Sequence, residues 1–239
     1  MMGMNVLSEM LATQDQSGRF YGVTTGIVTN NKDEEGLGRV KVKFPLLSDK
    51  DESYWARVLT PMAGKERGIY FLPEVDDEVL VAFDRGDISS PYILGGLWNG
   101  EDKPPELNSD GKNNRRIIKS RSGHQIILDD TQGEEKIIVC DHTSHNQIVI
   151  DSKNNAISIE VEKDITIKAK GQINIESSDG DISIKCKNLA IQTQQNCEIK
   201  ANSKFEVKAN SNCNIQANAG MGLKCMAGVK INDGALEVI

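Results

Sequence analysis

LAIQTQQNCEIKANSKFEVKANSNCNIQANAGMGL, residues 189–223, sets an apolar pair at the same point of every eight residues: Leu189/Ile191, Cys197/Ile199, Phe205/Val207, Cys213/Ile215 and Met221/Leu223. The same beat begins earlier, at Ile157/Ile159, Ile165/Ile167 and Ile173/Ile175, and runs on through Val229/Ile231 to the frame position Ile239. One repeat slips, because Ile182/Ile184 comes a position late after Asp179-Gly180, and Leu189 restores the frame. A third, usually small residue follows four after the first member of most pairs, as in Ala169, Ser177, Thr193, Ala201, Ala209 and Ala217. Side chains at i, i+2 and i+4 lie on one face of a strand. The other residues of each octad, such as Asn202-Ser203-Lys204 and Asn210-Ser211-Asn212, are turn formers that tolerate left-handed backbone angles. A fixed short period of this kind predicts a β-solenoid or β-helix.

A single chain is too little for such a core. Two large apolar side chains per octad fall short of the backbone entropy of ordering eight residues. A three-residue face also cannot enclose anything alone. Three chains wound together would supply the missing sides and pair every strand edge. The expectation is an obligate, intertwined homotrimer. Its core would comprise Ile157, Ile159, Ile165, Ile167, Ile173, Ile175, Leu189, Ile191, Cys197, Ile199, Phe205, Val207, Cys213, Ile215, Met221, Leu223, Val229 and Ile231. With one octad per strand step of about 4.8 Å, the rod would be on the order of 50 Å long.

Composition divides the chain. All six prolines lie at or before Pro105, and Phe205 is the sole aromatic residue after Trp98. Residues 1–106 carry 11 basic and 18 acidic side chains, net −7, which is the whole chain's formal charge; the 17 and 17 that follow cancel. The polar stretch Asn99–Asn114 is the natural boundary. The expected organisation is an N-terminal arm at 1–19, a β domain at 20–98, a linker at 99–122 that leads into the β-helix, and a needle at 123–239.

Between Tyr21 and Trp98, short strands alternate with turn signals. The candidates are Tyr21–Thr29, Arg39–Phe44, Trp55–Thr60, Gly68–Leu72, Glu78–Phe83 and Tyr92–Leu97. Five or six strands in some 80 residues suit a small closed barrel of the oligonucleotide/oligosaccharide-binding (OB) type. The fold class is thus all-β. Net −7 argues against nucleic acid as a partner, since a nucleic-acid-binding barrel needs a basic groove with exposed aromatics. Ahead of the barrel, Val6, Leu7, Met10 and Leu11 have helix-compatible spacing and are candidates for docking a partner.

Four segments carry a family resemblance: Gly38-Arg39-Val40-Lys41-Val42-Lys43-Phe44-Pro45, Trp55-Ala56-Arg57-Val58, Leu72-Pro73-Glu74-Val75-Asp76-Asp77-Glu78-Val79-Leu80-Val81-Ala82-Phe83, and Gly86-Asp87 with Pro91-Tyr92-Ile93-Leu94-Gly95-Gly96-Leu97-Trp98. They resemble the OB domain of contractile-injection spikes: phage baseplate assembly protein V, the spike of phage T4 and the VgrG proteins of type VI secretion. Residues 121–137, from Arg121-Ser122-Gly123-His124-Gln125-Ile126-Ile127-Leu128-Asp129-Asp130-Thr131 to Ile137, resemble the start of the VgrG β-helix. The resemblance implies a virion or particle component, a trimeric needle at the centre of a baseplate that is driven through the target envelope and touches the membrane only mechanically. VgrG proteins carry a large hub before the OB domain, so here the hub is expected to be a separate protein. The T4 spike carries a lysozyme domain between barrel and needle, for which Asn99–Asn114 leaves no room.

Catalytic and metal readings are weaker. Asp141-His142-Thr143-Ser144-His145 is the most metal-like cluster, yet two histidines three apart suit a helix face, and the surrounding sequence is extended. Some phage spikes bind iron at the tip through a His-x-His motif, and no histidine follows His145. The five cysteines, Cys140, Cys186, Cys197, Cys213 and Cys225, include no close pair, and Cys197, Cys213 and Cys225, which fall on the octad frame, read as small buried hydrophobes. Carboxylates such as Asp76-Asp77-Glu78 and Asp129-Asp130 read as turns and solvated faces. A rival reading, a β-helical tailspike that binds or cleaves surface polysaccharide, would need facing carboxylates beside substrate-stacking aromatics. No enzyme activity, catalytic residue, metal or cofactor is expected. Leu236, Val238 and Ile239 would form an apolar patch at the rod's end, and the resemblance implies a separate PAAR-repeat tip protein as its cap. The N-terminal sequence lacks a basic region followed by an apolar run, so the expectation is synthesis in the cytoplasm without a signal peptide, followed by assembly into a baseplate.

Overall fold

A computed structural model describes residues 19–46 and 48–227. The chain divides into two units, the first ending at Lys168 and the second beginning at Ala169. The N-terminal residues Val6, Leu7, Met10 and Leu11 and the C-terminal residues Val229, Ile231, Leu236, Val238 and Ile239 lie outside the described residues.

The strands are β1 (Val23–Asn30), β2 (Arg39–Phe44), β3 (Ser48–Glu52), β4 (Ala56–Val58), β5 (Ala63–Gly64), β6 (Arg67–Gly68), β7 (Glu78–Phe83), β8 (Pro91–Gly96), β9 (Arg115–Lys119), β10 (Gln125–Asp129), β11 (Lys136–Cys140), β12 (Gln147–Asp151) and β13 (Ala156–Glu160). Among the described residues the sole helical element is a short 3-10 turn, Asp84–Gly86, and no helix is long and apolar enough to cross a membrane.

The order β1-β7-β8-β4-β2, with β2 returning to β1, closes a five-stranded barrel, and β3 extends the β2 side. Among the described residues only β4 and β8 pair in parallel. Alternation in Arg39–Phe44 and Glu78–Phe83 sends Val40, Val42, Val79 and Val81 inward, where with Val28, Ala56 and Ile93 they are wholly excluded from solvent. Phe83 closes one end against Phe20 and Phe44, with ring centroids 5.5 and 5.7 Å away. β1 and β2 approach so closely at Gly26 that a Cβ there would stand 3.2 Å from the Cβ of Val42. This closed all-β barrel is the OB architecture expected from the strand pattern.

The expected strand over Gly68–Leu72 does not form. Arg67–Gly68 instead pairs with Ala63–Gly64 in a two-residue hairpin, and Ile69, Tyr70 and Phe71 follow as exposed chain. In the ring β8 lies between β4 and β7 and pairs with both, so residues 69–72 have no neighbour on those strands.

Beyond Asn114 the first unit holds an antiparallel meander in the order β9-β10-β11-β12-β13. Its register aligns Ile117, Ile127, Ile138, Val149 and Ser158 in one cross-strand row. The octad frame, which begins at Ile157, enters this sheet through β13.

Candidate functional site

After Glu160 no described residue is paired into a sheet, and residues 163–227 make no backbone-to-backbone hydrogen bond among the described residues. The chain is extended and bent at regular intervals: at Glu162-Lys163, Lys170-Gly171, Gln194-Gln195, Asn202-Ser203, Asn210-Ser211, Asn218-Ala219 and Met226-Ala227. Those corners follow the octad. The slipped repeat is absorbed at its own corners, since Ser178-Asp179-Gly180 spends three bend residues and Lys187 the single one that follows. There the Gly180 amide donates to Ser177 Oγ at 3.2 Å.

The apolar pairs lie on the straight segments between corners. Their isoleucines, leucines and other large side chains from Ile165 to Leu223 are between 52 and 76 % exposed, and Cys197 and Cys213 are exposed as well. Cys197, Cys213 and Cys225, read from sequence as small hydrophobes facing a shared core, are exposed within one chain, as is Cys186. Exposed apolar side chains at this density, on backbone that has no backbone hydrogen-bond partner among the described residues, leave both apolar burial and sheet pairing unmet within one chain. Charged residues alternate with the pairs, as in Glu198 with Lys200 at 2.8 Å and Glu206 with Lys208 at 2.5 Å. Each straight segment thus has an apolar face and a solvated one.

On the barrel, Asp33 organises the β1–β2 loop. Its carboxylate accepts from the Leu37 and Glu35 amides and from Arg39 Nε and Nη2, the last two at 2.8 and 2.7 Å. The Arg39 guanidinium therefore holds the Asp33 carboxyl well below the usual carboxylate range, and Asp33 in turn raises Arg39. Arg39 and Lys41 also stand 5.7 and 5.4 Å from the Trp55 ring centroid, and Arg57 lies 4.5 Å from that of Tyr92. Sequence reading missed these pairs, although the alternating basic residues of β2 are their signal. Their cations already hold carboxylates, Arg39 with Asp33 and Glu35, and Lys41 with Glu52. A groove of about 630 Å³ runs beside the β5–β6 hairpin, lined by Leu37, Met62, Ile69, Tyr70 and Phe71 among others.

The metal-like cluster falls in the β11–β12 connection. Asp141 accepts from Asn146 Nδ2 and from Thr143 Oγ1, both at 2.7 Å, and these bonds lower its pKa to about 2. His142 stacks edge-on against His124 at 5.6 Å, whereas His145 turns to Glu162 at 3.3 Å, so the two histidines diverge. No group of three metal-ligating side chains converges among the described residues. Asp129 caps its own turn through Thr131, and Asp130 pairs with Arg116. Asp77 accepts from the Glu74 amide at 2.8 Å in the turn before β7.

Residues 24–98 match the protein family described as the type VI secretion system/phage-baseplate injector OB domain. The chain is also similar to the type VI secretion system spike proteins VgrG1b and VgrG1c of Pseudomonas aeruginosa, each 32 % identical, over 61 % and 60 % of this chain and 20 % of either relative. VgrG3 of Vibrio cholerae is 29 % identical over 44 % of this chain and 11 % of its own length. The chain therefore spans about a fifth of the length of the first curated relatives it matches.

Proposed function

From the premise that this chain is a relative of the contractile-injection spike proteins, carrying their OB domain at residues 24–98, we propose that it is the non-enzymatic central spike of a contractile injection machine. In this reading the barrel is a collar that docks a separate hub and tube. The octads wind with those of two other copies into a triple-stranded β-helical needle, which is driven mechanically through the target envelope. A separate PAAR-type protein caps the end at Leu236, Val238 and Ile239. The domain division follows the roles: arm at 1–19, collar at 20–98, linker at 99–122 and needle at 123–239.

One observation carries the reading: beyond Glu160 the octad segments present two apolar side chains per step, bend at their corners, and have no strand partner among the described residues. Water cannot be the final environment of such a surface, because the isolated strand forfeits both apolar burial and sheet hydrogen bonds. Threefold winding supplies both at once, and it leaves Glu198, Lys200, Glu206 and Lys208 outward for solubility. Light scattering of the full chain is expected to give the mass of three copies. A well-behaved monomer overturns the proposal.

A further inference from the structure

The sequence contains a single Asn-Gly step, Asn99-Gly100, at the point where the barrel gives way to the linker. Two residues earlier the chain is still tied to β7, the Leu97 amide donating to the Glu78 carbonyl at 2.8 Å. Asn99 is half-buried beside the same residue. Its Nδ2 donates to Glu78 Oε2 at 2.9 Å and, more weakly, to Asp102 Oδ2 at 3.5 Å. Its Oδ1 accepts the amides of Glu101 and Asp102 at 2.9 and 2.7 Å. One side chain therefore fastens the first turn of the linker to the barrel.

The same contacts prepare a reaction. Two N–H groups on Oδ1 draw charge away from Cγ, and they stand where negative charge would gather if a nucleophile attacked that carbon. The adjacent nucleophile is the Gly100 nitrogen. Its N–H donates to no group among the described residues, and no side chain screens it, since even a Cβ on Gly100 would meet nothing within 4 Å. Lys103 Nζ donates to the Asn99 carbonyl oxygen at 3.3 Å. An ammonium on that oxygen polarises the Asn99-Gly100 peptide and favours loss of the Gly100 amide proton. Electrophile and nucleophile are thus both activated by neighbours that the turn brings to them.

We propose that Asn99 is a self-modification site, at which the chain deamidates and so unfastens its linker from Glu78. The Gly100 nitrogen gives its proton to hydroxide and bonds to Asn99 Cγ, and the carbonyl electron pair moves to Oδ1. That pair returns as the Cγ–Nδ2 bond breaks, and the nitrogen leaves as ammonia after taking a proton from water. The succinimide left behind opens when water adds to either of its carbonyls, giving aspartate or isoaspartate at position 99. In the balance one water is consumed and one ammonia released. Glu78 then has no donor and faces a new carboxylate, with the Glu101 and Asp102 acids in the same turn. A hydrogen bond has become a like-charge repulsion.

Incubation of the full-length chain at pH 8.5, followed by peptide mapping with mass spectrometry, tests the chemistry. Asn99 is expected to convert at least as fast in the folded chain as in the same chain unfolded in guanidinium chloride. Gly100→Ala, which the open space at that position accepts, should slow conversion by about tenfold or more because a Cβ shields the nucleophile. Lys103→Gln should slow it several-fold. A folded chain that converts more slowly than the unfolded one overturns the proposal, since the fold would then shield Asn99. A Lys103→Gln chain as fast as the parent overturns it too, because Gly100 would then owe nothing to its neighbours. The consequence is read separately: Asn99→Asp should lower the melting midpoint of the barrel at pH 7, and by less near pH 4, where the facing carboxylates begin to protonate. An unchanged midpoint at pH 7 would show that the linker is not unfastened.

Discussion

The Asp33 carboxylate takes Arg39 side-on, with Nε and Nη2 at 2.8 and 2.7 Å, while also accepting amides of the loop that joins β1 to β2. One acid therefore fixes both the loop and the start of the strand that carries Val40 and Val42 into the core. Because its pKa is lowered in the folded barrel, the stability it contributes is fully present above the ordinary aspartate value near 4. That contribution drains away as pH falls toward the folded value. Asp33→Asn should lower the melting midpoint of the barrel by several degrees at pH 7. The gap between variant and parent should narrow steadily below pH 4. A gap independent of pH would show that the ion pair contributes nothing.

Gly68 stands at φ +153°, and a Cβ there would meet the Met62 carbonyl oxygen at 2.5 Å. Met62 O also accepts the Ile69 amide at 3.1 Å, so neither the hairpin nor the carbonyl can yield freely. Gly68→Ala should cost roughly 1–3 kcal/mol, read as a shift in denaturant midpoint followed through Trp55 and Trp98 fluorescence. An unchanged midpoint would mean that the β5–β6 hairpin opens independently of the barrel.

Much of the barrel was legible because its strands alternate. Arg39–Phe44 and Glu78–Phe83 form with the expected bounds, since every second residue is a β-branched or aromatic core residue. Ser48–Glu52 was not legible: Ser48-Asp49-Lys50-Asp51-Glu52 has no apolar face and becomes a strand only by pairing with β2. Gly68–Leu72 differs for the opposite cause: its residues look like a strand, but Arg67–Gly68 pairs with Ala63–Gly64, and the places beside β4 and β7 are taken by β8. The corners Asn202-Ser203, Asn210-Ser211 and Asn218-Ala219 were legible because Asn and Ser mark them, whereas Glu162-Lys163, Gln194-Gln195 and Met226-Ala227 carry no such signal and follow from the octad spacing alone. The meander shows no eight-residue beat because its connections differ in length: Ile126, Ile137 and Ile148 are spaced by eleven, and Ile157 follows after nine. The diverging histidines of the Asp141–His145 turn show the limit of motif reading, since backbone course and not spacing decides where ligands point.

Asp141 holds the β11–β12 turn through Asn146 and Thr143, with a pKa lowered to about 2. Its contribution is therefore intact above pH 4 and lost between about 4 and 2. Asp141→Ala should speed amide exchange at Thr143, whose N–H donates to Asp141 Oδ1 at 3.1 Å, and in the adjoining strand ends at pH 6, because the turn loses both side-chain anchors. The parent and the variant should converge near pH 2 in thermal melts. If exchange at the turn is the same in both proteins, the hairpin is held by β11–β12 pairing alone.

Ile199 and Glu198 are neighbours on one straight segment with opposite duties. Ile199 is an apolar pair member with 68 % of its surface open in the single chain, whereas Glu198 leans to Lys200 at 2.8 Å on the solvated side. If three copies share the octad face, Ile199→Asp brings three carboxylates together where neither water nor a cation is at hand, and unpaired buried charge costs several kcal/mol per group. Carboxylates so placed would be driven toward protonation, so acid should partly restore what neutral pH destroys. Light scattering at pH 7 should therefore show loss of the three-chain species for Ile199→Asp, partial recovery near pH 4, and an intact trimer for Glu198→Ala at both values. A fully stable Ile199→Asp trimer at pH 7 would place the shared core on the other face of the octads.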